Sequence, residues 1–76
     1  MQSTWRNRIE SDPGILRGKP CFRGTRIPVS LVLGYLATGL DANAIIEQFP
    51  DLTPADVAAS LEYARDLADY EAVAST

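Results

Sequence analysis

The sequence contains no histidine and only one cysteine among its 76 residues. A single cysteine excludes an internal disulfide, and the usual ligands of a zinc site are missing. The longest apolar run, residues 31–37, is far shorter than the roughly 20 residues that cross a bilayer. No apolar segment follows the N-terminal charges, so we see no secretory signal. We therefore expect a cytoplasmic protein with no membrane partner.

A chain of this length forms one domain at most and buries only about 60% of its unfolded surface. Apolar residues make up 46% of the chain, which is typical of a folded domain. Because neither a disulfide nor zinc can add stability, we expect association, most simply as a homodimer. We predict a single domain over 1–76, with a loose basic arm (1–8), a β-ribbon (9–29), a three-helix bundle (30–70) and a frayed tail (71–76).

The charges are divided unevenly along the chain. Residues 1–26 carry six cationic side chains against two anionic ones, whereas residues 27–76 carry one against eight. Such an asymmetry is typical of an interaction protein with two different faces. The alternative is that the charges only solvate a small surface.

Residues 18–29 predict a tight, positively charged β-hairpin. Strand patterns over 20–22 and 26–29 flank a short loop that contains Gly24, which can take the positive φ that such a loop needs. Pro28 cannot donate a hydrogen bond to a ladder, so it marks an end or an edge of the sheet.

Three helices are predicted after this ribbon, over about residues 31–38, 42–49 and 54–70. Their N-caps are Ser30, Asp41 and Thr53, and Pro54 suits the first position of the third helix. The first helix is apolar nearly all round, which indicates burial, and we expect something to pack closely against its Gly34.

The third helix has a predicted buried face and a predicted solvent face. The buried face consists of Val57, Leu61, Ala64 and Ala68, with Leu67 beside them. The solvent face carries Glu62, Arg65, Asp66 and Asp69, and Arg65 can pair with Asp69 four residues on. The second and third helices have the lengths of a helix-turn-helix unit. The fold is therefore predicted to be mainly α, a three-helix bundle preceded by a short N-terminal β-hairpin.

Five short strings, in order over about residues 8–70, resemble a known family. They are IESDP, GKP, GTRIPV, PDLT and LEYA, and they closely resemble the family called domain of unknown function 433. The resemblance implies a homeodomain-like three-helix fold with a small N-terminal β element. It also implies a bacterial toxin–antitoxin setting, because many members are encoded beside a PIN-like ribonuclease toxin and the family is described as antitoxin-like. Cys21 stands where an aliphatic residue is expected, which suggests a buried position.

An enzyme is not expected. Cys21 has no histidine to activate it, and the Glu62–Asp66 carboxylate pair lies on the predicted solvent face, where nothing tunes it for acid–base work. So small a fold also leaves little room for a pocket. We therefore predict no catalytic residue, cofactor, metal or small-molecule substrate.

A nucleic-acid interface would use the basic N-terminal third of the chain. The candidate phosphate contacts are Arg6, Arg8, Arg17, Lys19, Arg23 and Arg26, and Trp5 could stack on a base. The third helix is acidic where a recognition helix presents Arg, Lys, Asn or Gln. DNA would then be bound by the paired ribbons of a dimer. The alternative for Arg23 and Arg26 is pairing with the acidic helices of the same chain or of a second subunit.

A protein interface would use the acidic C-terminal helix, docked on a basic partner. The candidate residues are Glu62, Tyr63, Asp66, Asp69 and Tyr70, although Tyr63 could equally close the helical core. The leading hypothesis is an antitoxin that neutralises a PIN-like ribonuclease and also binds its own promoter. The alternatives are a stand-alone DNA-binding regulator and a dimeric interaction module without nucleic acid.

Overall fold

The computed structural model describes residues 5–74, with side chains through residue 69. A single 3₁₀ turn, Trp5–Asn7, precedes strand β1 (Ile9–Glu10), and a turn at Leu16–Gly18 leads to strand β2 (Cys21–Phe22). Helices α1 (Val29–Ala37), α2 (Ala42–Gln48) and α3 (Pro54–Ala74) follow. The predicted fold, three helices after an N-terminal antiparallel β element, is confirmed.

The pairing of the strands differs in part from the prediction. Strand β2 pairs with β1, in the register Ile9 with Phe22, so the ladder partner lies upstream of the predicted loop. The downstream segment adds one bridge, between Cys21 and Pro28, and no further ladder is possible at Pro28 because it has no N–H. The predicted loop is present, and Gly24 takes a φ of +80°.

Helix α1 begins one residue before the predicted cap. Pro28 precedes it without a side-chain cap, so the prediction of Ser30 as N-cap is wrong. The first helical N–H, that of Val29, instead donates to the carbonyl of Pro20 across the hairpin, at 2.9 Å. At the other end, Gly39 has a φ of +99° and terminates the helix in a Schellman motif.

The N-termini of α2 and α3 follow the sequence prediction. Asp41 accepts a hydrogen bond from the Ala44 N–H. Thr53 and Asp56 form a reciprocal capping box, because the Thr53 hydroxyl accepts from the Asp56 N–H at 3.2 Å and the Asp56 carboxylate accepts from the Thr53 N–H at 2.9 Å. Each such cap is worth about 1 kcal/mol. Helix α3 continues to Ala74, beyond its predicted end at residue 70.

The core lies where the β element and all three helices meet. Its fully buried members are Ile9, Cys21, Phe22, Val29, Val32, Ile45, Leu52, Val57 and Ala59, and burial of one large side chain such as Ile45 contributes roughly 1.5–3 kcal/mol. Cys21 is a free, buried thiol, as predicted. The buried hydroxyl of Ser60 is satisfied, since it donates to the Val57 carbonyl at 2.6 Å.

Two predictions about helix faces are wrong. No side chain of the described residues packs on Gly34 of α1, where an added Cβ would meet open space. On α3, Val57 is buried, but Leu61, Leu67 and Ala68 are exposed. Ala59 and Ser60 are buried instead, so the side of the helix that meets the core is turned away from Leu61. In residues 5–74, no helix is long and apolar enough to cross a membrane.

Candidate functional site

The N-terminal segment is fastened to the middle of α3 by Trp5. The indole Nε1–H donates to the Asp66 carboxylate at 2.6 Å, and the Trp5 ring meets the Tyr63 ring edge-on at a centroid distance of 4.9 Å. The Arg6 guanidinium lies 4.5 Å from the centroid of the Trp5 ring. The prediction of a loose arm over residues 1–8 is therefore wrong for residues 5–8, and residues 1–4 lie outside the described part.

The indole contact also sets the electrostatics of Asp66. The hydrogen bond from Trp5 lowers the pKa of the Asp66 carboxyl below its ordinary value, and Arg65 beside it acts in the same direction. Arg65 pairs with Asp66 at 3.2 Å instead of with Asp69 as predicted. Asp66 is thus an anchor for the N-terminal segment, although its side chain remains 38% exposed on the predicted solvent face.

Three of the six predicted nucleic-acid contacts have intramolecular partners. Arg6 covers Trp5, and Arg8 pairs with Asp56 of α3 at 3.2 Å. Arg23 pairs with Glu10 of β1 at 2.9 Å and also donates to the carbonyl oxygens of residues 6 and 7. The alternative of internal pairing therefore holds for Arg23, with a strand as its partner.

The other three predicted contacts, Arg17, Lys19 and Arg26, are exposed. Among the residues whose side chains are described, none of the three forms an ion pair. Arg17 and its neighbour Leu16 have φ values of 58° and 51°, a left-handed conformation that costs roughly 1–2 kcal/mol per side-chain-bearing residue. This strained turn holds Leu16 on the surface, 41% exposed.

The second half of α3 exposes both apolar and acidic side chains. Leu61 is 51% exposed and Leu67 is 44% exposed, and Asp69 is also exposed. Tyr63 is half-buried against Trp5 and the core, so its packing role is confirmed. The predicted contact at Tyr70 involves a side chain outside the described residues.

An open depression of about 590 Å³ lies between the N-terminal segment and the first half of α3. Asn7, Arg8, Ala55, Ala58 and Glu62 line it, and it is a shallow surface concavity because most of these residues are exposed. In the described part of the chain, no cluster of three or more Cys, Asp or Glu side chains could hold a metal ion.

The family model described as protein of unknown function, DUF433, matches residues 9–64. This chain belongs to the DUF433 family. It is also similar to the crystal structure of a DUF433 member from Anabaena variabilis ATCC 29413, with 29% sequence identity and a TM-score of 0.76. The alignment covers 86% of this chain, which spans only 64% of the Anabaena chain. No curated protein matches the sequence.

The family match ends at residue 64, so it includes the exposed Leu61 but not Leu67 or Asp69. Sequence reasoning missed the anchoring role of Trp5, because its partner Asp66 is 61 residues away and no local pattern connects them. It also missed the exposure of Leu16, Leu61 and Leu67.

Proposed function

We propose that this DUF433 protein acts by binding another protein through the second half of α3, and that it is the antitoxin of a toxin–antitoxin pair whose toxin is a PIN-like ribonuclease. The main support for a binding role is the exposure of Leu61 and Leu67 on a helix that also has acidic side chains on its surface. Exposed leucines on a helix that also carries several carboxylates suit a basic, partly apolar partner surface. The identity of the partner is supported by the family resemblance alone.

The distribution of basic side chains disfavours nucleic acid as the main partner. Arg6, Arg8 and Arg23 are held by groups of the same chain, so a phosphate would have to compete with each of them. Helix α3, at the position of a recognition helix, carries Asp56, Glu62, Asp66 and Asp69 against one arginine, and these would repel a DNA backbone. Protein binding through α3 would not require these three arginines to give up their partners.

A tagged chain purified from its native host, with nuclease treatment and mass spectrometry, tests this proposal. We expect a PIN-like ribonuclease at stoichiometric amounts, whose RNA cleavage is inhibited by the pure protein. The variant Leu61→Ala/Leu67→Ala should retain its fold but lose the ribonuclease. Leu31→Ala is the matched control, because Leu31 is also exposed (41%) but lies on α1. Recovery of no ribonuclease, or equal recovery with the double variant, would overturn the proposal.

DNA binding by the N-terminal turn and hairpin is the second candidate, since Arg17, Lys19 and Arg26 are exposed cations. On this alternative the protein is a regulator, or an antitoxin that represses its own promoter. Replacement of all three by alanine should then weaken DNA binding and reduce the slope of log affinity against log salt by up to about 3, one per phosphate contact. An unchanged slope would reject this role.

A further inference from the structure

One part of the α3 surface is occupied by a side chain from the N-terminal segment of the same chain. Tyr63 and Asp66, three residues apart and so on one side of the helix, form what we call the Trp5 site. Tyr63 meets the Trp5 ring edge-on, and the Asp66 carboxylate accepts the hydrogen bond of the indole N–H at 2.6 Å. The site combines an aromatic ring with a charged acceptor, and this combination selects an aromatic side chain that carries an N–H or O–H donor.

The indole of Trp5 can leave this site while the domain stays folded. Trp5 is only half-buried, and the side chain of Asp66 is 38% exposed. The family match covers residues 9–64, so both Trp5 and Asp66 lie outside it. The backbone after Trp5 is held separately, because Arg23 donates to the carbonyl oxygens of the next two residues. Departure of the indole therefore breaks the contacts of one side chain, and we expect the open state in roughly 10% of molecules or fewer.

We propose that the partner protein places an aromatic side chain in the Trp5 site, and that Trp5 occupies the site in the absence of the partner. This inference rests on the proposed function, in which α3 binds a basic, partly apolar surface. Leu67 is 44% exposed and lies one helical turn beyond Tyr63 on the same side of α3. A partner that covers Leu67 therefore also reaches the Trp5 site, where it competes with the indole of Trp5.

Trp5 and its neighbour Arg6 indicate which residues of a partner fit the site. The Arg6 guanidinium lies 4.5 Å from the centroid of the Trp5 ring, so the group that rests on α3 is an aromatic donor with an arginine stacked on it. The helix surface beside the site is acidic, with Glu62 one turn before Asp66, and negative charge there favours an arginine. The partner segment is therefore expected to carry a tryptophan or tyrosine next to an arginine.

A synthetic peptide with the sequence of residues 3–8, STWRNR, tests the site with the purified full-length chain alone. The peptide carries 5-fluorotryptophan, so fluorine NMR observes it in the presence of any variant. We expect saturable binding to Trp5→Ala with a Kd of about 1 mM or tighter, since a tethered group has an effective concentration in the millimolar range. The wild type should bind the peptide at least about fivefold more weakly, because its own Trp5 competes for the site.

Asp66→Ala, added to Trp5→Ala, removes the acceptor and should weaken peptide binding by about fivefold or more. Asp51→Ala in the same background is the matched control, because Asp51 is an exposed carboxylate in the turn before α3, and the Kd should stay within about twofold. Circular dichroism confirms that each variant is folded. Absence of saturable binding to Trp5→Ala would overturn the proposal, as would equal binding by the wild type or an Asp66→Ala variant that binds as tightly as Trp5→Ala.

Purification from the native host connects the site with the partner. Trp5→Ala should bind the partner about fivefold more tightly than the wild type, because no indole competes for the site. Equal or weaker binding by Trp5→Ala would overturn the role of Trp5 as a competitor. If neither chain recovers a partner, the proposed function fails, and the peptide experiment still decides whether the Trp5 site binds an aromatic–arginine segment.

Discussion

Helix α3 is continuous, but its residues 54–60 and the residues after 60 differ in how deeply they are buried. The first half, residues 54–60, has a capping box at its start and buries Val57, Ala59 and Ser60. The second half exposes Leu61 and Leu67, while Tyr63 packs against the core and Asp66 accepts a hydrogen bond from Trp5. Apolar residues at helical spacing are therefore buried only where the rest of the fold covers them. Elsewhere on the helix they stay exposed.

The largest effect is expected in the first half of α3. Val57→Ala removes two buried carbon atoms from a side chain that is only 3% exposed, and we expect the free energy of unfolding to fall by about 2 kcal/mol. Urea denaturation at fixed protein concentration measures this, with exposed Leu31→Ala as the control. A loss below about 0.5 kcal/mol would show that this half of the helix is not part of the core.

Loss of the contact between Trp5 and α3 is expected to have the next largest effect on the free energy of unfolding. Trp5→Ala removes the edge-on ring contact with Tyr63 and the stacked Arg6, and we expect a loss of about 1–2 kcal/mol. Trp5→Phe retains an aromatic ring but cannot donate to Asp66, so its loss should be smaller. Equal stability of the alanine variant and the wild type would mean that the N-terminal segment is not fastened in solution.

The capping box should contribute less than either of these. Thr53→Ala removes the hydroxyl that accepts from the Asp56 N–H, and we expect a loss of about 1 kcal/mol. Thr53→Ser retains the hydroxyl and is the matched control, with a loss of no more than a few tenths of a kcal/mol. If both variants were equally destabilised, the methyl group of Thr53 and not its hydroxyl would be responsible.

The smallest effect is a pH dependence that originates at Asp66. The hydrogen bond from Trp5 lowers the pKa of Asp66 in the folded state, so the unfolded state binds the proton more readily. The resulting stabilisation is complete above the unfolded pKa of about 3.9 and is lost as pH falls through the lowered folded value. Thermal unfolding from neutral to acid pH should therefore show a smaller acid loss for Trp5→Phe than for the wild type. If the wild type and Trp5→Phe lost the same stability in acid, the hydrogen bond from Trp5 would not be the cause of the lowered pKa of Asp66.

Much of the fold could be predicted from local chemistry in the sequence. The caps at Asp41 and Thr53 and the positive φ of Gly24 and Gly39 each follow from a residue type at a fixed position in a turn or helix end. The start of α1 could not be predicted in this way, because its first N–H is satisfied by the carbonyl of Pro20 on another segment.

The candidate site was less predictable because it depends on distant pairs. Arg8 with Asp56 and Trp5 with Asp66 are 48 and 61 residues apart, and these contacts decide which charges face outward. From helical spacing we predicted Leu61 on the buried face of α3, with Leu67 beside it, and both are exposed. The spacing of apolar residues does not show which side of a helix the rest of the fold covers.

Leu61 and Leu67 are exposed on α3, and the proposed function requires that they contribute little to the stability of the fold. The most direct test is the free energy of unfolding of Leu61→Ala/Leu67→Ala, measured at a concentration where the chain is monomeric. Because both side chains are exposed, we expect a total change within about 1 kcal/mol of the wild type, no more than half the loss expected for Val57→Ala. A loss as large as that of Val57→Ala would show that both leucines belong to the core.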